Sequence, residues 1–272
     1  MKVLKSLAEW RALRVTLRDR LGFVPTMGAL HAGHASLIDA SVRDNELTAL
    51  SIYVNPTQFN NAEDLASYPD TLEADLELAR HRGVDFVLLP AYDEIYADDY
   101  RYGVIERELS GTLCGAHRPG HFDGVLTVVL KLLNIVQPTN AYFGEKDYQQ
   151  YELIRDMADA FFLPTTIVPC PTVREADGLA LSSRNLRLTA TDRARAPAFP
   201  AVLRSAPTDT DARRQLEQLG FVVDYIVTRN ERRYGAATLG SAANEVRLID
   251  NVPVSGPLVQ AQPNAPSYAE AS

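Results

Sequence analysis

Short apolar segments alternate with amphipathic segments along the first two thirds of the chain. Five apolar segments have the length and composition of buried strands, at residues 21–24, 47–54, 85–90, 140–143 and 165–168. In the segments between them, apolar residues recur at helical spacing. One example is the set Leu72, Leu76 and Ala79. This alternation predicts an α/β fold, a doubly wound parallel sheet over residues 1–184.

The remainder of the chain has a different pattern. Thr189 and Asp192 form a capping pair that predicts the start of one helix, and a second helix is expected near 212–219, ending at Gly220. Strands are predicted at 221–227 and 245–249. We therefore expect a smaller α+β domain over 185–254. The tail at 255–272 is rich in Pro, Ala, Ser and Gln and is predicted to be disordered.

Composition limits the classes of function. The 272 residues have a formal net charge of −8, which disfavours a large nucleic-acid footprint. The sequence contains no run of about 20 apolar residues, so no membrane span is expected. The N-terminus continues into a charged amphipathic segment, with a first helix at 7–18, and does not resemble a signal peptide. Cys114 and Cys170 lie in unrelated contexts, which favours two reduced thiols in a cytoplasmic protein.

Residues 25–34, PTMGALHAGH, carry the densest functional pattern. They follow an apolar strand and precede an amphipathic helix, so they predict a strand, a glycine turn and a helix start. His31 and His34 are three apart and lie on one side of the first helical turn. Glycines, a helix N-terminus and two imidazoles suit a phosphate group. Zinc is disfavoured because no Cys or carboxylate stands beside the histidines.

Polar residues also follow two other predicted strands. Asn55 and Gln58 come after the second strand, and Lys146 and Gln150 come after the fourth. The carboxyl ends of parallel strands share one edge of the sheet, so these side chains are expected to face the same crevice as the histidines. A plain Asn-Pro turn and an ordinary surface lysine are the alternatives. Residues 182–184 add two hydroxyls and a guanidinium, which suit polyphosphate oxygens.

Five blocks together resemble a known family. PTMGALHAGH is similar to the His-x-Gly-His motif of the nucleotidylyltransferase superfamily, which many such enzymes share. Its longer context resembles the pantothenate synthetase (pantoate–β-alanine ligase) family. The blocks NPTQF at 55–59, RPGHF at 118–122, FGEKDYQQ at 143–150 and DGLALSSRN at 177–185 do so as well. They occur in the family's order and make the resemblance specific over about residues 20–195.

The resemblance implies a Rossmann-like ATP-dependent ligase of the cytoplasm. ATP and (R)-pantoate would give pantoyl adenylate and pyrophosphate with Mg²⁺. The β-alanine amine would then give pantothenate, a coenzyme A precursor, and AMP. The implied partners are these small molecules and a second copy of the chain in a homodimer, with no nucleic acid and no membrane.

The resemblance also implies roles for individual residues. His31, His34 and Lys146 would be catalytic. His34 matches a position usually labelled a proton donor, although adenylation needs no obligatory proton transfer and a charge-stabilising donor is the simpler role. Gln58 and Gln150 would bind pantoate, and Asn55 is a candidate for the second half-reaction. No protein ligand is assigned to Mg²⁺. The further residues implied in ATP binding are Met27, Gly28, Ala29, Leu30, Ala32, Gly33, Gly144, Glu145, Asp147, Val173, Leu181, Ser182, Ser183 and Arg184.

One departure from the family and two rival functions accompany the resemblance. The part after Asn185 is shorter than the resemblance leads us to expect, with the shortening near residues 206–210. A trimmed lid would admit water and speed hydrolysis of the adenylate. The rival functions are those of another nucleotidylyltransferase of the same superfamily and of a degenerate, non-catalytic ATP-binding protein. A tRNA ligase is disfavoured by length and acidic charge.

Overall fold

The computed structural model describes residues 1–60, 62–66, 68–241 and 245–254. The tail at 255–272, for which disorder is predicted, lies outside the described residues. The described chain forms two units, and each has its own sheet.

The first unit contains a six-stranded sheet whose paired strands are all parallel. Its strands are β1 (Lys2–Leu4), β2 (Leu21–Thr26), β3 (Leu47–Ile52), β4 (Phe86–Leu88), β5 (Asn140–Gly144) and β6 (Thr166–Cys170). They lie in the order β1-β4-β3-β2-β5-β6, so β2, which leads into the histidine turn, is an interior strand. The predicted parallel sheet is confirmed.

Helices pack on both faces of this sheet. Phe23 of β2 belongs to the core that contains Trp10 and Ile154, whereas the next residue, Val24, belongs to the core that contains Ile38. Successive strand residues point to opposite faces, so one strand contributes to two cores and the sheet is doubly wound. The helices of this unit are α1 (Leu7–Arg14), α2 (Ala32–Asp44), α3 (Ala62–Ala66), α4 (Leu72–His81), α5 (Tyr92–Ile95), α6 (His121–Val136) and α7 (Tyr148–Ala160).

The second unit is the smaller α+β unit that the sequence predicts. Its strands are antiparallel in the order β7-β8-β9, and Phe199, Leu203 and Leu248 lie in its core. The capping pair is confirmed, because the backbone N–H of Asp192 donates to Thr189 Oγ1 at 3.1 Å. The elements are α8 (Ala190–Arg195), α9 (Ala198–Ser205), α10 (Asp209–Gln218), β7 (Val222–Arg229), β8 (Arg232–Leu239) and β9 (Val246–Pro253).

The sequence did not predict β1 or β8. The three residues of β1 pair with β4 at the edge of the sheet, and so short a strand has no readable alternation. Strand β8 begins with Arg232 and Arg233, which obscure its apolar pattern. The turn before β8 places Asn230 and Glu231 at φ values of 48° and 57°, which matches the twist of a two-residue hairpin.

Two further features qualify the sequence predictions. Helix α1 ends at Arg14 instead of residue 18, and the Arg14 guanidinium donates to the carbonyl oxygen of Val136 at 3.0 Å. Leu179 packs in the core of the second unit, ahead of the boundary predicted at 184 and 185, and that boundary stays a prediction. None of the helices in the described ranges is long and apolar enough to cross a membrane.

Candidate active site

A tight turn joins β2 to α2 at the carboxyl edge of the sheet. Gly28 has a φ of 82° and Ala29 a φ of 51°, so the backbone passes through the left-handed region that glycine tolerates. The N–H of Gly28 donates to Thr26 Oγ1 at 3.2 Å. A Cβ atom on Gly28 would lie 3.0 Å from a carboxylate oxygen of Asp75. Glycine is therefore needed here for its conformation and for its size.

Asp75 of α4 holds this turn, and the sequence did not single it out. Its carboxylate accepts the backbone N–H groups of Ala29 at 2.9 Å and Leu30 at 2.7 Å, and the hydroxyl of Thr71 at 3.0 Å. The side chain is buried. An ionised acceptor makes these hydrogen bonds stronger than neutral ones. Asp75 therefore fixes the backbone directly ahead of His31.

Both imidazoles of the turn bind the backbone through Nδ1. His31 is the N-cap of α2, and its Nδ1 accepts the N–H of Gly33 at 3.1 Å. His34 Nδ1 accepts the N–H of His31 at 3.3 Å. A ring nitrogen that accepts a hydrogen bond carries no proton, so the proton of each neutral ring is on Nε2. The two ring centroids are 4.2 Å apart, so the two imidazoles lie next to each other.

Electrostatics keep both rings neutral. Burial lowers the pKa of His34 to about 3, and the neighbouring His31 and Lys146 lower it further than Asp147 raises it. Burial also lowers the pKa of His31, with the ammonium of Lys146 as the second cause. A ring that is neutral at pH 7 can donate a hydrogen bond but does not hold an acidic proton to transfer. The geometry therefore favours the charge-stabilising role over the proton-donor label.

Lys146 follows β5 in a short 3₁₀ helix, Glu145–Asp147, which leads into α7. Its ammonium lies 3.7 Å from the Asp147 carboxylate. Strand β5 is the neighbour of β2, and Lys146 acts on the pKa of both histidines, so the sheet brings it to the same edge. The structure thus places Lys146 at the predicted edge of the sheet, and its part in catalysis stays a prediction.

The second phosphate candidate, residues 182–184, is carried by a hairpin. Leu181 pairs with Val173 through an N–H···O bond of 3.0 Å, and Gly178 makes the turn at a φ of 90°. Ser182 caps the 3₁₀ helix Ser183–Arg187 by accepting the N–H of Arg184 at 3.2 Å.

Asn55 does not occupy the position expected from the sequence. Its side chain is 1% exposed and is hydrogen-bonded to other protein groups, so it does not face the crevice. Its amide donates to Gln58 Oε1 at 3.1 Å and to the carbonyl oxygen of Gly124, while its oxygen accepts from Tyr96 at 2.8 Å. Asn55 thus orients Gln58, and the expectation that its own side chain faces the crevice is wrong.

Gln58 is also held by the loop before α6. His121 Nδ1 donates to the carbonyl oxygen of Gln58 at 2.8 Å, and His121 Nε2 accepts from Arg118 at 3.0 Å. Burial lowers the pKa of His121 to about 4, with Arg118 as the next cause. The neutral ring that results matches this donor and acceptor pattern.

The adjacent glutamines Gln149 and Gln150 serve different purposes. Gln149 is buried and donates to the carbonyl oxygens of Leu109 and Thr112 at 2.9 and 2.8 Å, while its oxygen accepts the N–H of Cys114. Gln149 therefore supports the fold. Gln150 is half-buried and lines a cleft between the two units.

A cleft of 410 Å³ lies between the two units. Five predicted site residues line it: Lys146, Asp147, Gln150, Ser182 and Arg184. A second depression of 210 Å³ lies against the turn and is lined by Met27, Gly28 and Asp75. Seven of the predicted site residues thus line one of these two openings, whereas His31, His34 and Gln58 line neither.

The two cysteines are free, as expected. Cys170 is buried, and burial raises the pKa of its thiol to about 11. Cys114 is partly exposed, and its Sγ lies 3.0 Å from the hydroxyl of Tyr225 across the two units.

The family model of pantoate-β-alanine ligases matches residues 2–253. The chain belongs to the pantoate–β-alanine ligase family. Among its relatives, the pantothenate synthetase of Bdellovibrio bacteriovorus is 53% identical over 253 residues, which are 93% of this chain and 99% of that protein. The pantothenate synthetase of Legionella pneumophila (strain Corby) is 51% identical over 92% of this chain and 99% of that protein.

Solved structures agree with the family match. The pantoate-β-alanine ligase of Francisella tularensis, crystallised with βγ-ATP and β-alanine, superposes with a TM-score of 0.87 at 41% identity. That match covers 93% of this chain and 97% of that chain. The pantothenate synthetase of Thermus thermophilus gives a TM-score of 0.84 at 37% identity, over 93% of this chain and 99% of that one.

Membership of this family confirms the predicted enzyme class, an ATP-dependent acid–amine ligase of pantothenate biosynthesis. Family membership also excludes the rival function, that of another nucleotidylyltransferase of the same superfamily. The expected shortening is not seen against these relatives, because the Bdellovibrio and Legionella proteins align over 99% of their own lengths. Residues 206–208 simply join α9 to α10. Faster hydrolysis of the adenylate is therefore not expected.

Proposed function

We propose that this chain condenses (R)-pantoate with β-alanine through a pantoyl adenylate, using the residues of the sheet edge and the cleft. The observation that carries the proposal is the pair of imidazoles, His31 and His34, whose Nδ1 atoms both accept backbone N–H groups at the sheet edge that Lys146 also follows. Nε2–H donors with an ammonium suit the charge that develops on a transferring phosphate.

In the first half-reaction a pantoate carboxylate oxygen bonds to the α-phosphorus of ATP, and the bond to pyrophosphate breaks with its electron pair on the leaving group. Two anions must approach each other, so catalysis depends on positioning and on charge stabilisation. His31, His34 and Lys146 are proposed to stabilise the transferring phosphate. Ser182, Ser183 and Arg184 are proposed to bind the β- and γ-phosphates.

The rest of the ATP molecule is assigned to the backbone around these groups. The turn at residues 27–30 and the start of α2, Ala32 and Gly33, are proposed to lie against the nucleotide at the helix N-terminus, where a phosphate is favoured. Residues 144–147 are proposed to hold ribose and phosphate. Val173 and Leu181, paired at the base of the hairpin, are proposed to contact the adenine.

Pantoate is proposed to bind between Gln58 and Gln150. Gln58 is held from behind by Asn55 and His121, so its amide is oriented before substrate arrives. Preorganised hydrogen-bonding groups lower the ordering cost of binding. The carboxylate and hydroxyl groups of pantoate would therefore be bound by the side-chain amides of Gln58 and Gln150, near the groups proposed to bind phosphate.

In the second half-reaction the β-alanine amine bonds to the acyl carbon. The carbon–oxygen bond to AMP breaks with its electron pair on the AMP phosphate, and the nitrogen releases a proton. This route requires no Ser or Cys nucleophile, which agrees with the buried, high-pKa thiol of Cys170.

Magnesium is proposed to accompany ATP. Among the described residues, no group of three or more His, Cys, Asp or Glu side chains is arranged to hold a metal ion. Magnesium commonly binds nucleotide phosphates and keeps several waters, so this donor set fits an ion held mainly by phosphate oxygens. When bound, it would neutralise phosphate charge.

A homodimer in the cytoplasm is also proposed. The resemblance supports the dimer, and the two free thiols suit a reducing compartment. Sedimentation velocity at several protein concentrations tests the dimer, and a species of about 30 kDa at every concentration would reject it.

The deciding experiment measures AMP formation from ATP and Mg²⁺, with pantoate and β-alanine added separately and together. We expect sustained AMP release only with both substrates, and pantoate-dependent exchange of pyrophosphate into ATP without β-alanine. AMP formation that does not depend on pantoate would falsify the proposal. No turnover at all would favour a non-catalytic ATP-binding protein.

A further inference from the structure

Asn251 of β9 reaches across the two units to the backbone around Lys146. Its side-chain amide nitrogen donates to the carbonyl oxygens of Glu145 at 2.8 Å and Lys146 at 3.0 Å. Its oxygen accepts from the guanidinium of Arg232 on β8. Two carbonyl acceptors on one side and a guanidinium on the other permit only one orientation of the amide. Asn251 is 3% exposed, so water does not compete for these bonds.

Arg232 fixes Asn251 in turn. Its guanidinium carbon lies 3.9 Å from the centroid of the Tyr148 ring, and one of its nitrogens lies 4.0 Å from a carboxylate oxygen of Glu145. A stacked guanidinium has little rotational freedom left. The backbone that carries Lys146 is therefore clamped by the second unit.

The neighbouring residue, Asp250, binds the other phosphate loop. Its carboxylate pairs with Arg174 through two bonds of 2.6 and 2.9 Å. Arg174 also donates to the carbonyl oxygen of Gly178 at 3.1 Å, and it bridges Ala180 at the base of the hairpin that leads to Ser182. The carboxylate is 1% exposed, and a bidentate, buried pair is both strong and strict in geometry.

The two contacts are coupled by the geometry of a strand. Adjacent residues on a strand point to opposite faces, so Asp250 and Asn251 can reach two separate loops from one backbone position. The N–H of Asn251 also donates to Asp250 Oδ1 at 2.7 Å, which joins the two residues directly. A shift of β9 would thus move both loops together.

From these contacts we propose that Asp250 and Asn251 are positioning residues, which set the distance between the loop of Lys146 and the hairpin of Ser182–Arg184. The proposal rests on the proposed function, because it concerns loops assigned to ATP. Neither residue is expected to touch the substrates. Each acts through the loop that it holds.

The test is a double-mutant cycle between Asn251 and Lys146. Asn251→Asp keeps the shape and the acceptor for Arg232 but removes both donors to the loop. We expect kcat for pantoate-dependent AMP formation to fall about 10- to 100-fold, because small misplacements at an active site have effects of this size. In a Lys146→Ala background the same substitution should change kcat by less than about threefold, since residues that act as a unit are not additive.

Equal losses in both backgrounds would overturn the proposal, because they would show that Asn251 acts independently of Lys146. If Asn251→Asp does not fold, Asn251→Ala enters the same cycle and is judged by the same criterion. Asp250→Asn should mainly raise the KM for ATP, since it loosens the hairpin. An unchanged KM in folded protein would remove Asp250 from the proposal.

Arg229→Gln is the matched control. Arg229 pairs with Glu152 at 3.2 Å between the same two units but contacts neither phosphate loop. Its loss should leave kcat and both KM values within about twofold, and a loss as large as that of Asn251→Asp would show that general docking of the units is responsible. Wild-type protein that forms no pantothenate would refute the proposed function, whereas active wild type with an additive cycle would refute only this inference.

Discussion

The backbone N–H of His31 donates to Nδ1 of His34 at 3.3 Å, so the main chain itself selects the tautomer of the second histidine. The proton of His34 is left on Nε2, on the ring edge away from this bond. Because burial holds the pKa of His34 at about 3, the ring stays neutral wherever the protein is folded at ordinary pH. The role of His34 can therefore be tested with a substitution that keeps an N–H donor near the position of Nε2 but has no proton to transfer.

His34→Gln and His34→Asn form a pair that separates the two roles. The glutamine amide reaches approximately to the position of Nε2, whereas the asparagine amide reaches only to that of Nδ1. We expect His34→Asn to lower the rate of adenylation about 10²- to 10³-fold, with His34→Gln about tenfold more active. Rapid-quench measurement of pantoyl adenylate gives the rates. Equal losses of adenylation rate in both variants would favour the proton-donor role instead.

Lys146→Ala is expected to lower kcat by about two to three orders of magnitude, because it removes the positive charge that we propose stabilises the transferring phosphate. Steady-state AMP formation gives kcat, and circular dichroism checks that the fold is intact. Lys5→Ala, on the exposed N-terminal segment, is the control and should behave as wild type. Near-normal turnover of Lys146→Ala would remove this residue from the mechanism.

Asp75→Asn should disturb catalysis without touching a substrate. The amide keeps one acceptor but turns a donor toward the N–H groups of Ala29 and Leu30. We expect a loss of stability of about 1–3 kcal/mol and a fall in kcat of about tenfold or more. Urea unfolding and steady-state kinetics measure the two effects. Glu73→Gln makes the same chemical change at an exposed position of α4. It should change neither the stability nor kcat.

Asn55→Ala should weaken pantoate binding and leave ATP binding unaffected, because Asn55 orients Gln58. Loss of one supporting hydrogen bond predicts a rise in the KM for pantoate of about three- to tenfold. Asn134→Ala is the control, since that amide donates to Leu130 within its own exposed helical turn. A larger effect on the KM for ATP would contradict the assignment of Gln58 to pantoate.

Acid should destabilise the protein through His121. Burial and Arg118 lower the pKa of His121 to about 4 in the folded state, against about 6.5 in the unfolded chain. Between these values the unfolded state binds more protons, so the stabilisation is complete above pH 6.5 and is lost as the pH falls toward 4. The slope from this residue is at most about 1.4 kcal/mol per pH unit.

Urea unfolding between pH 7 and 4.5 measures that slope. His121→Asn should make it shallower, and His81→Gln, at an exposed position, should leave it as in wild type. An identical slope in all three proteins would show that His121 does not titrate as its burial requires.

The sheet edge was predictable because its determinants are local. Apolar runs mark the interior strands, and the glycines with His31 and His34 mark the turn. Parallel strands then bring Gln58 and Lys146 to the same edge, whatever the helices between them do.

The residues that hold the site were not predictable in the same way. Asp75 lies among the acidic residues Glu73 and Glu77, and only the approach of α4 to the turn distinguishes it from them. Asn55 looks like a substrate ligand until the burial of its amide is known. Asp250 and Asn251 depend on the docking of β9, a contact between residues about a hundred positions apart, for which a single sequence has no periodic signal.

The position of Asn251 in the chain also has a consequence for biosynthesis. The strands that carry the histidine turn and Lys146 are complete at Gly144, whereas Asn251 lies on the last strand of the described chain. The ribosome therefore synthesises the strands of this sheet edge first and Asn251, which holds the Lys146 loop, last. On this inference, a nascent chain contains the loops assigned to ATP before it contains the strand that sets their spacing, and translation itself sets the order.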